Sequence, residues 1–292
     1  MSLKRATNEK NLFLRLSRMR VNTHLARFQG NKHICSKTLK VCFERNTSMN
    51  IKDSVVLVTG GNRGLGKAFV QALLDAGAQK IYVGARHLTE ATNPRLQPLK
   101  LNITDARDIA AAAAACQDVS ILINNAGIAR NSPFLAAPSV DSAREEMETN
   151  YFGTLAMCRA FAPILKKNGG GVLVNMLSVA SWYTNPSMAS YGASKAAELT
   201  LTNGVRIELR SQGTLVVAVH AGFIDTDMAA TIDAPKVKPE DVAAKTIEGI
   251  LAGHEEVLAD QRSQDIRTAL ATDPQSFYEQ IQERWDNAQR EA

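Results

Sequence analysis

Short apolar runs alternate with longer stretches of helical periodicity between residues 54 and 260. The runs are almost entirely apolar, which is typical of strands buried on both faces of a sheet. Between them, apolar residues recur three and four positions apart, as on one face of a helix. The predicted strands are SVVLVT (54–59), KIYVG (80–84), PLKLN (98–102), SILIN (120–124), GVLVNML (171–177), TLVVAV (214–219) and EEVLAD (255–260), and the predicted helices begin at Gly64 or cover 110–115 and about 141–167, 191–210 and 239–251.

This alternation of strands and helices is characteristic of parallel strands joined by crossover helices. We therefore predict an α/β fold over residues 49–260, a single doubly wound (Rossmann) domain with a mostly seven-stranded parallel sheet flanked by helices. Residues 261–292 are more polar, but Phe277, Tyr278, Ile281 and Trp285 follow a helical spacing. We expect a helical tail there that packs on the domain or on a partner subunit.

Residues 1–48 differ from the rest of the chain in charge. They hold eleven Lys and Arg against two acidic residues, a charge of +9, so the +5 of the whole chain leaves −4 for residues 49–292. Three interpretations are open: an organelle transit peptide, an extension upstream of a start at Met49, or a basic arm for an anionic partner. We expect a cytoplasmic protein unless this segment directs it to an organelle.

Composition argues against several other classes of protein. No run approaches the roughly 18 apolar residues of a membrane-spanning helix, and with 5% aromatic residues the chain has few candidates for base stacking, so we predict neither a membrane protein nor a nucleic-acid binder. Cys35, Cys42, Cys116 and Cys158 show no CxxC spacing, and the histidines are scattered. We predict no metal site and no disulfide framework.

The first predicted strand is followed directly by TGGNRGLG, Thr59 to Gly66. Gly60 permits a tight turn, Gly64 lets a pyrophosphate approach the backbone, and Gly66 lets the helix pack close to the sheet. A glycine-rich loop between a strand and a helix indicates a dinucleotide site. The cofactor contacts expected in this loop are Thr59, Gly60, Asn62, Arg63, Gly64, Leu65 and Gly66.

The end of the second strand indicates which dinucleotide binds. An acidic residue about 20 positions after the loop would bind the ribose hydroxyls of NAD, whereas an arginine accommodates the 2′-phosphate of NADP. The sequence YVGARH places Arg86 there, with no acid before Glu90, and Arg63 adds a second cation. We predict NADP(H) as the cofactor.

Tyr191 and Lys195, in YGASK, lie four residues apart and therefore on one face of a helix. An ammonium beside a phenol favours the phenolate, which suits a general acid or base. This motif is the last of five that follow one another along the chain. The other four are TGGNRGLG, NNAG (Asn124 to Gly127), Asn150 and Ser178, which lies thirteen residues before Tyr191. Over about residues 51–260 the chain resembles the short-chain dehydrogenase/reductase family.

The resemblance implies a role for each of four catalytic residues. Tyr191 exchanges a proton with the substrate oxygen, and Ser178 hydrogen-bonds the same oxygen. Lys195 also holds the nicotinamide ribose, and Asn150 positions a water that links Lys195 to solvent. The resemblance further implies cofactor contacts at Asn102, Ile103, Asn125, Ala126, Gly127, Tyr191, Lys195, Gly222, Ile224 and Thr226.

Two positions depart from the family pattern. Ala221 replaces the usual Pro before Gly222, so we expect a less rigid loop there. Asn102 stands where Asp commonly lies beside the adenine, and its amide offers both an acceptor and a donor.

The functional hypothesis is an NADPH-dependent carbonyl reductase, or the reverse secondary-alcohol dehydrogenase. A non-catalytic NADP-binding sensor on the same fold is the alternative, although such a protein would not need Asn150, Ser178, Tyr191 and Lys195 together. We expect a small or medium apolar ketone or aldehyde as substrate, under a short lid at 227–238. The expected pocket residues, which could also be packing residues, are Trp182, Tyr183, Pro186, Met188, Phe223 and Met228.

The resemblance also implies assembly. Family members commonly pair through their two long helices, here 141–167 and 191–210, so we expect a homodimer or homotetramer.

Overall fold

The computed structural model describes residues 50–291. The predicted basic segment 1–48 lies outside the described residues, so its three interpretations stay predictions. Within residues 50–291, no helix is both long enough and apolar enough to span a membrane.

The described residues form one seven-stranded sheet in the order β3-β2-β1-β4-β5-β6-β7, and every neighbouring pair is parallel. All residues of β1, β4, β5 and β6 are buried, which confirms the prediction from their unbroken apolar runs. The strands are β1 Val55–Thr59, β2 Lys80–Ala85, β3 Leu96–Lys100, β4 Ile121–Asn124, β5 Val172–Met176, β6 Leu215–His220 and β7 Glu256–Leu258.

The largest difference from the predicted strands concerns β3, which begins at Leu96 and not at residue 98. As an edge strand it pairs with β2 alone, and its residues are half-buried or exposed. Leu101, whose apolar side chain extended the predicted strand to residue 102, is buried but lies beyond the end of β3, as does the buried Ile103. β7 is also shorter than predicted, three residues long.

Helices cover both faces of the sheet, as predicted. Phe69 of α1 and Ile247 of α6 belong to the core on one face, and Ile109 of α2, Phe161 of α4 and Val205 of α5 to the core on the other. The helices are α1 Gly64–Asp75, α2 Ala106–Ala115, α3 Asp141–Glu146, α4 Thr154–Lys167, α5 Ala189–Leu209, α6 Pro239–Leu251, α7 Gln261–Thr272 and α8 Pro274–Glu291.

The predicted long helix at 141–167 contains a break in its periodicity. A π-helical segment, Met147–Gly153, joins α3 to α4. Gly153 permits a close approach there, because a Cβ on it would lie 2.9 Å from the Ile103 side chain. Such π-helical insertions occur frequently at functional sites, and Asn150 lies within this one.

The tail consists of two helices, since Pro274 begins α8 where a proline is tolerated. Asp260 caps α7 by accepting a 2.7 Å hydrogen bond from the Ser263 N–H. Phe277 of α8 contacts Tyr183 edge to face, with ring centroids 5.1 Å apart. Both helices thus contact the Rossmann domain, α7 also through the buried Ile266.

His220, at the carboxyl end of β6, is fully buried. Its Nδ1 lies 3.2 Å from Ser181 Oγ, and its ring stacks on Trp182 with centroids 4.2 Å apart. Burial lowers the pKa of His220 from 6.5 to about 4. The Glu256 carboxylate lies 3.5 Å from Nε2, but it is partly exposed and also pairs with Arg267. Burial is therefore the main influence on the pKa of His220.

The burial of His220 predicts a pH-dependent stability. Between about pH 6.5 and about 4, the unfolded chain binds a proton that the folded protein excludes. The His220 contribution is therefore complete above pH 6.5 and is lost as the pH falls toward 4. Urea titrations at several pH values measure this loss of unfolding free energy between about pH 6.5 and about 4. We expect the loss to be smaller in His220→Asn by up to roughly 3 kcal/mol. The exposed His254→Asn is the control, and equal slopes in both variants would contradict the prediction.

Candidate active site

A cleft of about 1320 Å³ opens at the carboxyl ends of the central strands. The strand order reverses between β1 and β4, and doubly wound sheets bind ligands outside such a point. The volume exceeds that of an ordinary drug-sized pocket. It leaves room for a dinucleotide and a substrate together.

The glycine-rich loop forms one wall of the cleft. Gly60 and Gly64 have φ angles of 65° and 49°, which favour glycine. A Cβ on Gly66 would lie 2.0 Å from the Gly60 carbonyl oxygen. Within residues 50–291, no side chain caps the start of α1, so its first N–H groups are available to an anion. These residues fit the pyrophosphate of a dinucleotide.

Thr59 does not line this cleft, unlike the other cofactor residues predicted from the loop. It is 1% exposed and lies beneath the NNAG turn. Its Oγ1 accepts hydrogen bonds of 3.0 Å from the N–H groups of Asn125 and Ala126. The Asn125 amide in turn donates to the Thr59 carbonyl oxygen. Thr59 therefore fixes the loop that faces the cofactor site.

Ser178, Tyr191 and Lys195 line the inner end of the same cleft. Ser178 follows β5, and its Oγ accepts a 3.1 Å hydrogen bond from the Ala180 N–H. Tyr191 and Lys195 lie at the start of α5, with Lys195 Nζ 6.0 Å from the centre of the Tyr191 ring. The predicted serine, tyrosine and lysine thus share one site.

Asn150 lies behind the cleft and is fully buried. Its amide nitrogen donates to the Ile128 carbonyl oxygen and to Ser194 Oγ, both at 2.9 Å, and its Oδ1 accepts from the Ile128 N–H. The side chain therefore ties the loop after β4 to α5. Because both amide donors are used, the predicted water would have to bind a carbonyl oxygen of Asn150.

A Cβ on Gly127 would lie 3.1 Å from Asn150 Oδ1 and 3.8 Å from Lys195 Nζ. The NNAG turn therefore passes directly in front of both side chains.

Glu198 is a residue of this site that the sequence reasoning missed. Its Oε2 lies 2.6 Å from Lys195 Nζ, and both side chains are buried. Burial alone lowers the pKa of Lys195, but the Glu198 carboxylate outweighs it and the net shift is upward. Burial also raises the pKa of Tyr191, which the Lys195 ammonium and the Ser178 hydroxyl lower only in part. The available signal was an acidic residue three positions after Lys195, on the same face of the helix.

The two arginines predicted for the 2′-phosphate both line the outer end of the cleft. Arg63 pairs with Asp227 at 3.0 Å across the opening, although both side chains are exposed. Arg86 is exposed and has no acidic partner within the described residues. Only Arg86 is therefore free to meet a phosphate without first losing an ion pair.

Asn102 also lines the cleft, with part of its amide already in use. Its Oδ1 accepts hydrogen bonds from the Thr104 N–H and Oγ1, at 3.2 and 3.0 Å. The amide nitrogen, as a donor, is what this side chain can offer an adenine.

The loop at Ala221 is held by a contact that sequence reasoning did not anticipate. The Gly222 N–H donates a 2.7 Å hydrogen bond to Asp260 Oδ2. A Cβ on Gly222 would lie 2.5 Å from Arg262 Cδ. The first turn of α7 thus restrains the loop where a proline is lacking.

The expected substrate residues divide into two groups. Tyr183, Met188, Phe223 and Met228 line the cleft, together with Ile232 from segment 227–238. Trp182 and Pro186 do not line it; Trp182 packs between His220 and Arg267. The cleft also has a charged rim that was not predicted, in which Arg130 pairs with Glu145 at 2.7 Å.

Comparison with known proteins agrees with this geometry. A family model described as short chain dehydrogenase matches residues 54–236. A short chain dehydrogenase from Burkholderia cenocepacia J2315, solved in complex with NADP, is 41% identical with a TM-score of 0.77, over 80% of this chain and 99% of that chain. An NADPH-bound carbonyl reductase from chicken fatty liver is 28% identical with a TM-score of 0.63, over 70% of this chain and 93% of that one.

The 3-oxoacyl-(acyl-carrier-protein) reductase FabG of Vibrio harveyi is 30% identical over 239 residues, 79% of this chain and 94% of its own length. The family match spans more than half of the chain and includes the glycine-rich loop, Ser178, Tyr191 and Lys195. The chain therefore belongs to the short chain dehydrogenases, a family of oxidoreductases that use a nicotinamide cofactor.

Proposed function

We propose that the protein is an NADP(H)-dependent carbonyl reductase, or the reverse secondary-alcohol dehydrogenase, with Tyr191 as its general acid and base. One observation carries this proposal: the buried Ser178 and Lys195, together with Tyr191, line the same cleft as the exposed Arg63 and Arg86. A nucleotide sensor would need only the two arginines.

The residues at the inner end would polarise and protonate a carbonyl group. When bound, the nicotinamide supplies or accepts the hydride. Ser178 donates a hydrogen bond to the substrate oxygen, where negative charge develops. Tyr191 donates its proton to the same oxygen in reduction and takes it back in oxidation. Burial raises the pKa of Tyr191, so the hydroxyl is protonated at neutral pH and can serve as the proton donor in reduction.

Two observations support NADP(H) over NAD(H). β2 ends at Ala85 and is followed by Arg86, so a cation occupies the position where an NAD site has a carboxylate for the adenine ribose. The Burkholderia cenocepacia relative, at 41% identity, was solved with NADP.

The apolar lining of the cleft supports a small or medium apolar ketone or aldehyde as substrate. Met188, Phe223 and Met228 offer apolar contacts in the cleft that the catalytic residues also line. The lid contributes a single 3-10 turn, Asp227–Ala229, and leaves Met228 49% exposed. Turnover of one highly polar ketone, with none of apolar ones, would contradict this assignment.

Exchange of Arg86 for an acid tests the cofactor. We expect the full-length chain to bind NADPH at least about tenfold more tightly than NADH, roughly 1.4 kcal/mol, in titrations followed by nicotinamide fluorescence. Arg86→Asp should reverse this preference, because it replaces a cation that binds the 2′-phosphate of NADPH with a carboxylate that binds the ribose 2′-hydroxyl of NADH. Arg284→Asp, on the exposed face of α8, is the matched control. Equal binding of both nucleotides by the native chain would refute the choice of NADP(H).

Removal of one hydroxyl tests the general acid. Tyr191→Phe should lower kcat for ketone reduction on the order of 10² to 10⁴-fold, the usual contribution of a positioned acid, while NADPH binding stays within about twofold. The assay follows NADPH consumption over a panel of ketones and aldehydes. Tyr278→Phe, at an exposed tyrosine of α8, should leave the rate unchanged. Full activity in Tyr191→Phe would remove this residue from the mechanism.

A further inference from the structure

A carboxylate lies buried one turn beyond the catalytic lysine. Glu198 is 1% exposed, and its Oε2 accepts a 2.6 Å hydrogen bond from Lys195 Nζ. On its other side, Thr154 Oγ1 lies 3.5 Å from Oε1. The neighbouring turn is also bonded, since Thr202 Oγ1 donates to the Glu198 carbonyl oxygen at 2.7 Å. Glu198 is therefore held from α4 and from its own helix.

Packing alone does not account for an acidic residue here. Burial of a carboxylate carries a large desolvation cost, and an apolar residue of similar volume commonly stabilises a core as well as a buried ion pair does. Farther along α5, the buried Val205 and Leu209 pack into the core without charge. The contact with Lys195 therefore offers a functional reason for a carboxylate at this position.

Glu198 restricts what Lys195 can do. An ammonium has three donors, and one of them is bonded to the Met176 carbonyl oxygen at 2.8 Å and a second to Glu198. One donor remains for the cleft that Lys195 lines. The bond to β5 and the bond within α5 together fix the direction of this third donor.

The other charged and titratable groups around this cluster come from several elements. α3 contributes Glu146, a buried carboxyl whose Oε1 accepts a 2.6 Å hydrogen bond from the Arg130 N–H. Burial raises the pKa of Cys158 of α4 to about 12 and lowers the pKa of His220 of β6 to about 4. Both side chains are therefore neutral between these two pH values. Besides burial, the Glu198 and Glu146 carboxylates raise the pKa of Tyr191, whereas Lys195 lowers it.

We propose that Glu198 is a positioning residue of the reaction, which aims the Lys195 ammonium with a fixed hydrogen bond and offsets part of the positive charge that Lys195 presents to Tyr191. The proposal rests on the function proposed for Tyr191 and Lys195. Its consequence is that Tyr191 keeps its proton to a higher pH than the lysine alone would allow. Such a setting suits a proton donor in carbonyl reduction.

Glu198→Gln tests the proposal, because the amide keeps the shape and a hydrogen-bond acceptor but removes the charge. In the full-length chain labelled with ¹³C at tyrosine Cζ, the NMR signal of Tyr191 is identified by its loss in Tyr191→Phe. We expect the ionisation of Tyr191 to occur about one pH unit lower in Glu198→Gln than in the native chain. The exposed Glu208→Gln, on the same helix, should not move it.

A second readout is the pH dependence of kcat for ketone reduction. The fall of kcat at alkaline pH, where Tyr191 loses its proton, should begin about one pH unit lower in Glu198→Gln than in the native chain. Glu198→Leu, which packs without charge, should show the same downward shift and covers the case in which the Gln variant folds poorly. An unchanged or raised ionisation pH of Tyr191 in both variants would overturn the proposal. The NMR titration needs no turnover, so failure of the proposed reductase activity and failure of the role of Glu198 give different results.

Discussion

The buried ammonium of Lys195 is the interaction on which the arrangement of the site depends. A cation removed from water must be compensated by charge and hydrogen bonds, and here the Met176 carbonyl and Glu198 supply them. The bond to the Met176 carbonyl holds α5 against the end of β5, where Ser178 leaves the sheet. Tyr191, one turn earlier on α5, thereby reaches the same point in the cleft.

The loops around this point are held by protein contacts on every side. Thr59 fixes the NNAG turn beneath the glycine-rich loop, Asn150 ties the following residues to α5, and Asp260 restrains Gly222. Each contact joins a strand end to an element distant in the sequence. The cofactor site is therefore largely preorganised, which lowers the entropy that binding must overcome.

The sequence predicted the fold well because strands buried on both faces require uninterrupted apolar runs. It predicted the inner strands better than the edge strand β3, whose exposed residues carry no apolar signal. Local motifs likewise placed the glycine-rich loop, Ser178, Tyr191 and Lys195 at one cleft. Contacts that depend on tertiary packing were missed: Thr59 lies beneath the site, Trp182 packs on His220, and Glu198 reaches Lys195 across a helical turn.

The most direct test of the central claim follows the hydride itself. The full-length chain is incubated with NADPH that carries deuterium at its transferable position, and with ketones and aldehydes of increasing size. If the cleft aligns a carbonyl carbon with the nicotinamide, mass spectrometry will find one deuterium on the carbinol carbon of the product. NADPH binding without deuterium in any product would contradict the account, and would leave a nucleotide-binding protein that does not turn over a carbonyl.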